Sequence, residues 1–239
     1  MSDDLEQFMM GHPPTPERPL QGLTVLVVED SRFASEAIRL LSLRSGARIR
    51  RADSLRAAHR HLRVYRPSIV IIDMGLPDGC GADLIAQLAA NPLRVPVLLG
   101  MSGDETTRDQ ALQAGADGFL AKPVESLAVF QQSILSVLPP AEGPVAPRAL
   151  PQDIIAPDQI ALQDDLCHAA TLMREGADGP MQDYIAQFLG GLARSAHDNT
   201  LEVAATGLAQ ARAAGRGTVA DLARVQGLVQ DRLAHRRAL

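Results

Sequence analysis

Ser68-Ile69-Val70-Ile71-Ile72-Asp73 is a short apolar run with no helical period, closed by one carboxylate. Such a run predicts a strand buried on both faces of a parallel sheet. Asp73 then stands at the carboxyl end of that strand, the edge where open α/β sheets gather ligand chemistry. Met74-Gly75-Leu76-Pro77-Asp78-Gly79 follows, a turn-rich loop that stops the strand abruptly.

Before it, residues 23–28 read as a first strand ending at Glu29-Asp30. Ser31 is a candidate N-cap for a helix over 33–43, with Phe33, Ala37, Leu40 and Leu41 at helical spacing. Residues 47–51 predict a short edge strand and 54–65 a second helix. After the Asp73 strand come a helix over 81–90, a strand over 95–100 ending at Met101-Ser102-Gly103, and a helix over 105–114. A short strand over 118–121 runs into Lys122-Pro123, and a fifth helix covers 124–138. Five strands alternating with five helices imply right-handed crossovers and a parallel, doubly wound, flavodoxin-like α/β sheet.

The flanks differ in kind. Residues 1–21 are polar and proline-rich and predict a flexible leader. Residues 139–157 hold Pro139, Pro140, Pro144, Pro147, Pro151 and Pro157, which predicts an extended linker. Residues 158–239 predict an all-α segment of about three helices, over 158–175, 181–214 and 218–234. The long middle helix would flex at Gly190-Gly191. So few helices build a thin core, so self-association, such as a homodimer, or partner binding is expected.

The chain of 239 residues is 46% hydrophobic with a net charge of −5, ordinary for a globular protein and no reason to expect nucleic-acid binding. Cys80 and Cys167 lie far apart, which suggests reduced thiols. The start is acidic, and no run reaches the ~18 apolar residues of a membrane span. A cytoplasmic protein is expected. Lysine and arginine total 23, yet Lys122 is the sole lysine, leaving 22 arginines. A lone lysine in that background marks a position needing a compact ammonium. The arginine-rich stretch 48–66, with His59 and His61, reads as a solvated helix face, with a docking surface for an acidic partner as the alternative, and neither histidine has metal-ligand company.

In a parallel sheet the strand ends converge. Here they collect Glu29, Asp30, Asp73, Ser102 and Lys122. Three carboxylates together repel unless a cation lies among them, and oxygen ligands suit Mg²⁺. The backbone carbonyl of Gly75 is placed to add a ligand. A carboxylate beside Mg²⁺ can attack phosphorus and form an acyl phosphate. Lys122 and Ser102 would then hold the phosphoryl oxygens.

With these residues in view, 22–138 resembles the receiver domain of two-component response regulators. The resemblance rests on Glu29-Asp30, on Asp73 with Leu76-Pro77-Asp78-Gly79, on Ser102, and on Ala116-Asp117-Gly118-Phe119-Leu120-Ala121-Lys122-Pro123. It implies phosphoryl transfer from a phosphohistidine of a sensor histidine kinase or phosphotransfer protein to Asp73. Glu29 and Asp30 would hold Mg²⁺, Ser102 and Lys122 would report phosphorylation, and Phe119 would be the rotating aromatic switch. No activity beyond gaining and losing that group is implied. Gly103 departs from the family, where Ala is more usual, and would open the phosphoryl group to water.

The tail holds ten acidic and eight arginine residues from Asp158 to Leu239, so it offers no basic face and DNA is not an expected partner. Ala196-His197-Asp198-Asn199-Thr200 weakly resembles the phosphorylated-histidine helix of phosphotransfer and kinase dimerisation domains, without the Lys and Gly that commonly follow. Two functions are therefore carried forward. One is a receiver that signals through a protein contact of its helical tail. The other is a relay intermediate passing phosphoryl between Asp73 and His197. A transcription factor is the weaker third.

Overall fold

The computed structural model describes residues 13–139, 150–176 and 178–235. Much of the expected leader and linker therefore lies outside the described residues. The first half alternates as expected: β1 (Thr24–Val28), α1 (Arg32–Arg44), β2 (Arg48–Ala52), α2 (Leu55–Val64), β3 (Ile69–Asp73), α3 (Gly81–Ala89), β4 (Val97–Ser102), α4 (Thr107–Gln113), β5 (Gly118–Ala121) and α5 (Leu127–Leu135). All five strands are parallel, in the order β2-β1-β3-β4-β5. A two-residue ladder, Gly75–Leu76 against Gly79–Cys80, closes the loop after β3.

Pleat alternation divides the core. Val25, Val27, Ile69, Ile71, Val97 and Leu99 meet Ile38 and Leu41 of α1 and Phe130 and Ile134 of α5 on one face. Leu26, Val28, Val70, Ile72 and Leu98 meet Ala57, Ala58, Leu84, Ile85 and Ala111 on the other. Every residue of β3 is buried, as the opening run requires. Serine side chains start three of the helices: Ser31 accepts from the Ala34 amide (3.0 Å), Ser54 from Ala57 (3.2 Å) and Ser126 from Val129 (3.3 Å).

The flanking segments are partly built into this domain. Leu20, at the end of the expected leader, is fully buried in the α1/α5 core. Its amide donates to the Ser45 carbonyl (2.9 Å). The end of the proline-rich linker returns to α5. There Ile154 bridges to Ser126, and the Ile155 amide donates to the Glu125 carbonyl (2.9 Å).

The tail has four helices among the described residues: α6 (Gln159–Glu175), α7 (Gly179–Ser195), α8 (Asn199–Ala213) and α9 (Val219–His235). The single long helix expected over 181–214 is two. The break falls at Ala196-His197-Asp198, where His197 takes a left-handed φ of 55°. Asp198 caps α8 by accepting from the Leu201 amide (3.0 Å). Gly190-Gly191 does not flex. Gly190 is buried inside α7 and faces Ala205 of α8, so its missing side chain serves close helix packing.

The apolar seam expected to seek a second copy is largely covered within the chain. Leu166, Ile185, Leu189, Leu201, Leu208 and Val229 form one cluster, and Phe33 of α1 joins it. The large apolar side chains left exposed on the tail, Ile160, Val203 and Val219, lie on three different helices. No helix among the described residues is long and apolar enough to cross a membrane.

Asp198 also receives the Arg232 guanidinium through both carboxylate oxygens, one at 2.8 Å. That hydrogen bond lowers the Asp198 pKa. A depressed folded pKa adds stability above the unfolded carboxylate value, about 3.9. The contribution is lost as pH falls through the lower folded value. Asp198→Ala should therefore cost about 1–2 kcal/mol at pH 7. Chemical denaturation should show the gap to wild type closing in strong acid.

Candidate functional site

Strand order reverses between β1 and β3, since β2 lies to one side of β1 and all later strands to the other. That reversal opens a crevice at the strand ends. β1 delivers Glu29 and Asp30 to it. β3 ends in Asp73, whose register partner on β4 is Met101, so Ser102 stands one residue further along the same edge. Ser102 in turn pairs with Ala121, which sets Lys122 immediately beyond.

The Lys122 ammonium lies 2.6 Å from Glu29 Oε2 and 3.2 Å from Asp73 Oδ1. Glu29, Asp73, Ser102 and Lys122 are all buried, and Asp30 is half-buried. The Ser31 amide donates to Glu29 Oε1 (3.1 Å) and Asp30 Oδ1 (3.0 Å), which fixes the acidic pair at the first turn of α1. Ser102 Oγ accepts from the Asp104 amide (3.1 Å).

Burial is the largest influence on both aspartates. It raises Asp30 to about 8, with Glu29 and Asp73 adding repulsion and the Tyr184 hydroxyl opposing. It raises Asp73 to about 7, against the pull of Lys122. Burial alone would lower Lys122, but Asp73 and Glu29 hold its pKa above the usual lysine value. One ammonium does not balance three carboxylates, so the site favours further positive charge. Oxygens of Glu29, Asp30 and Asp73 lie within 4.8 Å of one another. This all-oxygen donor set fits a hard divalent cation.

Six of the sequence-predicted residues, Glu29, Asp30, Asp73, Gly75, Ser102 and Lys122, line a single cleft of about 710 Å³. The other two do not. Phe119 is half-buried against the cluster that contains Ala57, Ile85 and Ala111, away from the cleft lining. His197 is exposed in the α7–α8 turn, and its Nε2 lies 2.8 Å from Glu125 Oε1.

The far side of the cleft is the tail, which no motif in the sequence announces. Tyr184 on α7 donates its hydroxyl to Asp30 Oδ2 (2.7 Å). Buried Asp165 on α6 accepts from Ser31 Oγ (2.7 Å), the Arg32 amide (2.9 Å) and the Phe33 amide (3.0 Å). A tail carboxylate thus caps the helix that starts at the acidic pair. The Gln187 carboxamide occupies the space where a Cβ on Gly75 would stand, and the Arg194 guanidinium does the same over Gly103. The glycine that departs from family usage makes room for a tail arginine. One signal was in the sequence: Asp165 shares a helical face with Leu162, Leu166 and Ala169, an apolar face where a carboxylate needs donors.

The family described as response regulator receiver domain matches residues 25–133. The transcriptional regulatory protein PhoP of Escherichia coli O157:H7 is 30% identical over 117 residues, 47% of this chain and 52% of PhoP. The KDP operon transcriptional regulatory protein KdpE of E. coli K12 is 32% identical over 99 residues, 41% of this chain and 44% of KdpE. The chain thus spans about half the length of the curated relatives it matches. A putative response regulator from Chloroflexus aurantiacus aligns at 30% identity over 48% of this chain and 98% of its own, with a TM-score of 0.44. The receiver domain of sensor histidine kinase PA1611 from Pseudomonas aeruginosa, with magnesium coordinated in its active-site cleft, aligns at 26% identity over 46% and 93%, TM-score 0.43.

Residues 25–133 belong to the response regulator receiver family, joined to a C-terminal helical segment. PhoP and KdpE are named as transcriptional regulators, so the expectation against DNA draws no support from these relatives.

Proposed function

We propose that this protein is a two-component response regulator that accepts a phosphoryl group on Asp73 and signals through the contact between its receiver and its helical tail. The donor is a phosphohistidine on a sensor histidine kinase or phosphotransfer protein. The observation that carries this reading is the Lys122 ammonium held between Glu29 and Asp73 in a cleft edged by Ser102. Glu29, Asp30, Asp73 and the Gly75 carbonyl would hold Mg²⁺, which neutralises charge on the transferring group. Asp73 Oδ supplies the nucleophile. Lys122 and Ser102 bind the phosphoryl oxygens, and Phe119 reports the change.

The relay reading gains no geometry, because His197 faces Glu125 and not the cleft lining. The output reading does. Asp30, a proposed metal ligand, accepts from Tyr184 of the tail, so cation binding and tail docking draw on one carboxylate.

The test is chemical. The full chain is incubated with a small acyl phosphate such as acetyl phosphate and Mg²⁺. One label per chain is expected, stable in mild acid and lost in base. Chelation of Mg²⁺ should cut labelling at least about tenfold. A base-stable label would sink the proposal.

A further inference from the structure

One wall of the cleft is helix α7 of the tail. Asp183, Gln187, Gly190, Gly191 and Arg194 recur at the spacing of one face of α7, and that face lines the cleft opposite Asp73 and Lys122. Tyr184, one turn before Gln187, anchors the helix through Asp30. Gln187 itself lies over Gly75, two residues beyond Asp73. Its side chain is exposed to the cleft. The cleft's 710 Å³ leaves ample room for a phosphoryl group and several waters, each of about 30 Å³.

A carboxamide is suited to one task in such a place. Its oxygen accepts a hydrogen bond from a water while its nitrogen donates one to a neighbouring oxygen, so the water is held with a lone pair aimed at phosphorus. A glutamine orients the attacking water in this way in GTP hydrolysis. The side-chain amide is neutral, so it adds no repulsion beside three carboxylates.

We propose that the tail speeds loss of the phosphoryl group from Asp73, with Gln187 as the residue that positions the attacking water. This deepens the reading of Asp73 as phosphoacceptor and rests on it. The water oxygen bonds to phosphorus, and the bond between phosphorus and Asp73 Oδ breaks. The acyl phosphate dianion and water give the Asp73 carboxylate and dihydrogen phosphate, with both water protons leaving on the phosphate. No other reactant is consumed. The tail therefore limits how long the signal lasts.

The experiment follows full-length protein labelled with acetyl phosphate, freed of donor, and timed for loss of base-labile label and release of inorganic phosphate. Wild type is compared with Gln187→Ala and Gln187→Met, the latter keeping the side chain's length over Gly75. Amide exchange at Arg32 and Phe33, which Asp165 caps, reports whether the tail is still docked. The expected result is a label lifetime on the order of 10- to 100-fold longer in both variants with those amides still protected. An unchanged or shorter lifetime in Gln187→Met with the tail docked overturns the inference, a shorter one meaning that the tail shields the bond. A longer lifetime only where protection is lost also overturns it, because docking and not the amide would then be responsible. Absence of base-labile label in wild type and in both variants refutes the Asp73 reading instead, and tail-assisted hydrolysis with it.

Discussion

Asp73→Asn should reduce labelling by acetyl phosphate or a cognate kinase to background, while His197→Ala leaves it unchanged. The expected loss exceeds about a hundredfold, because an amide is no nucleophile toward phosphorus and no other described carboxylate has the same setting. Glu29 is tied to Lys122 and to the Ser31 amide, and Asp30 to Ser31 and Tyr184. Folding should survive the change. Burial disfavours the ionised form of Asp73, so a neutral amide removes a desolvation cost even as it loses the Lys122 partner. Thermal stability without divalent cation should therefore stay close to wild type. The gain in stability on adding Mg²⁺, about 2.7 kcal/mol at a hundred times its Kd, should shrink sharply. Label on Asp73→Asn that matches wild type would move the phosphoacceptor elsewhere.

Asp165→Ala should release the tail from the receiver. One buried carboxylate accepts three hydrogen bonds across the contact, two from backbone amides at the start of α1. Burial raises the Asp165 pKa and these three donors pull against that rise. Truncation leaves two amides and a hydroxyl to find water or remain unpaired, at roughly 1–3 kcal/mol for each group that stays buried. The expected loss is about 3 kcal/mol, read as faster exchange at Arg32 and Phe33. Protease sensitivity in the proline-rich linker should rise with it. Asp165→Asn keeps one acceptor oxygen and should fall between. Unchanged exchange in Asp165→Ala would mean that Phe33 and Tyr184 hold the tail without the cap.

The receiver half is legible because its physics is local. A strand buried on both faces announces itself as an unbroken apolar run, and residues 69–73 do so. Parallel topology then brings strand ends together, so Glu29, Asp30, Asp73, Ser102 and Lys122 can be assembled from their order alone. The tail is less legible. Its helix break falls where there is neither glycine nor proline, at a histidine with positive φ, while the adjacent glycines stay helical. Asp198 ahead of Leu201 was the cap signal, and it competed with an apolar seam that runs through the break. The docked face left the weakest trace. Tyr184 and Gln187 pack against residues more than a hundred positions earlier, and no spacing within α7 encodes that distance. Only Asp165, a carboxylate on an apolar face, broke the local pattern.

The chain's return to α5 has a consequence for competition. Ile155 is pinned to Glu125, and α6 begins at Gln159. A tether this short keeps the tail near the cleft at an effective concentration on the order of millimolar. A separate protein reaching for the same face at micromolar concentration would need an intrinsic affinity about a thousandfold tighter to take its place.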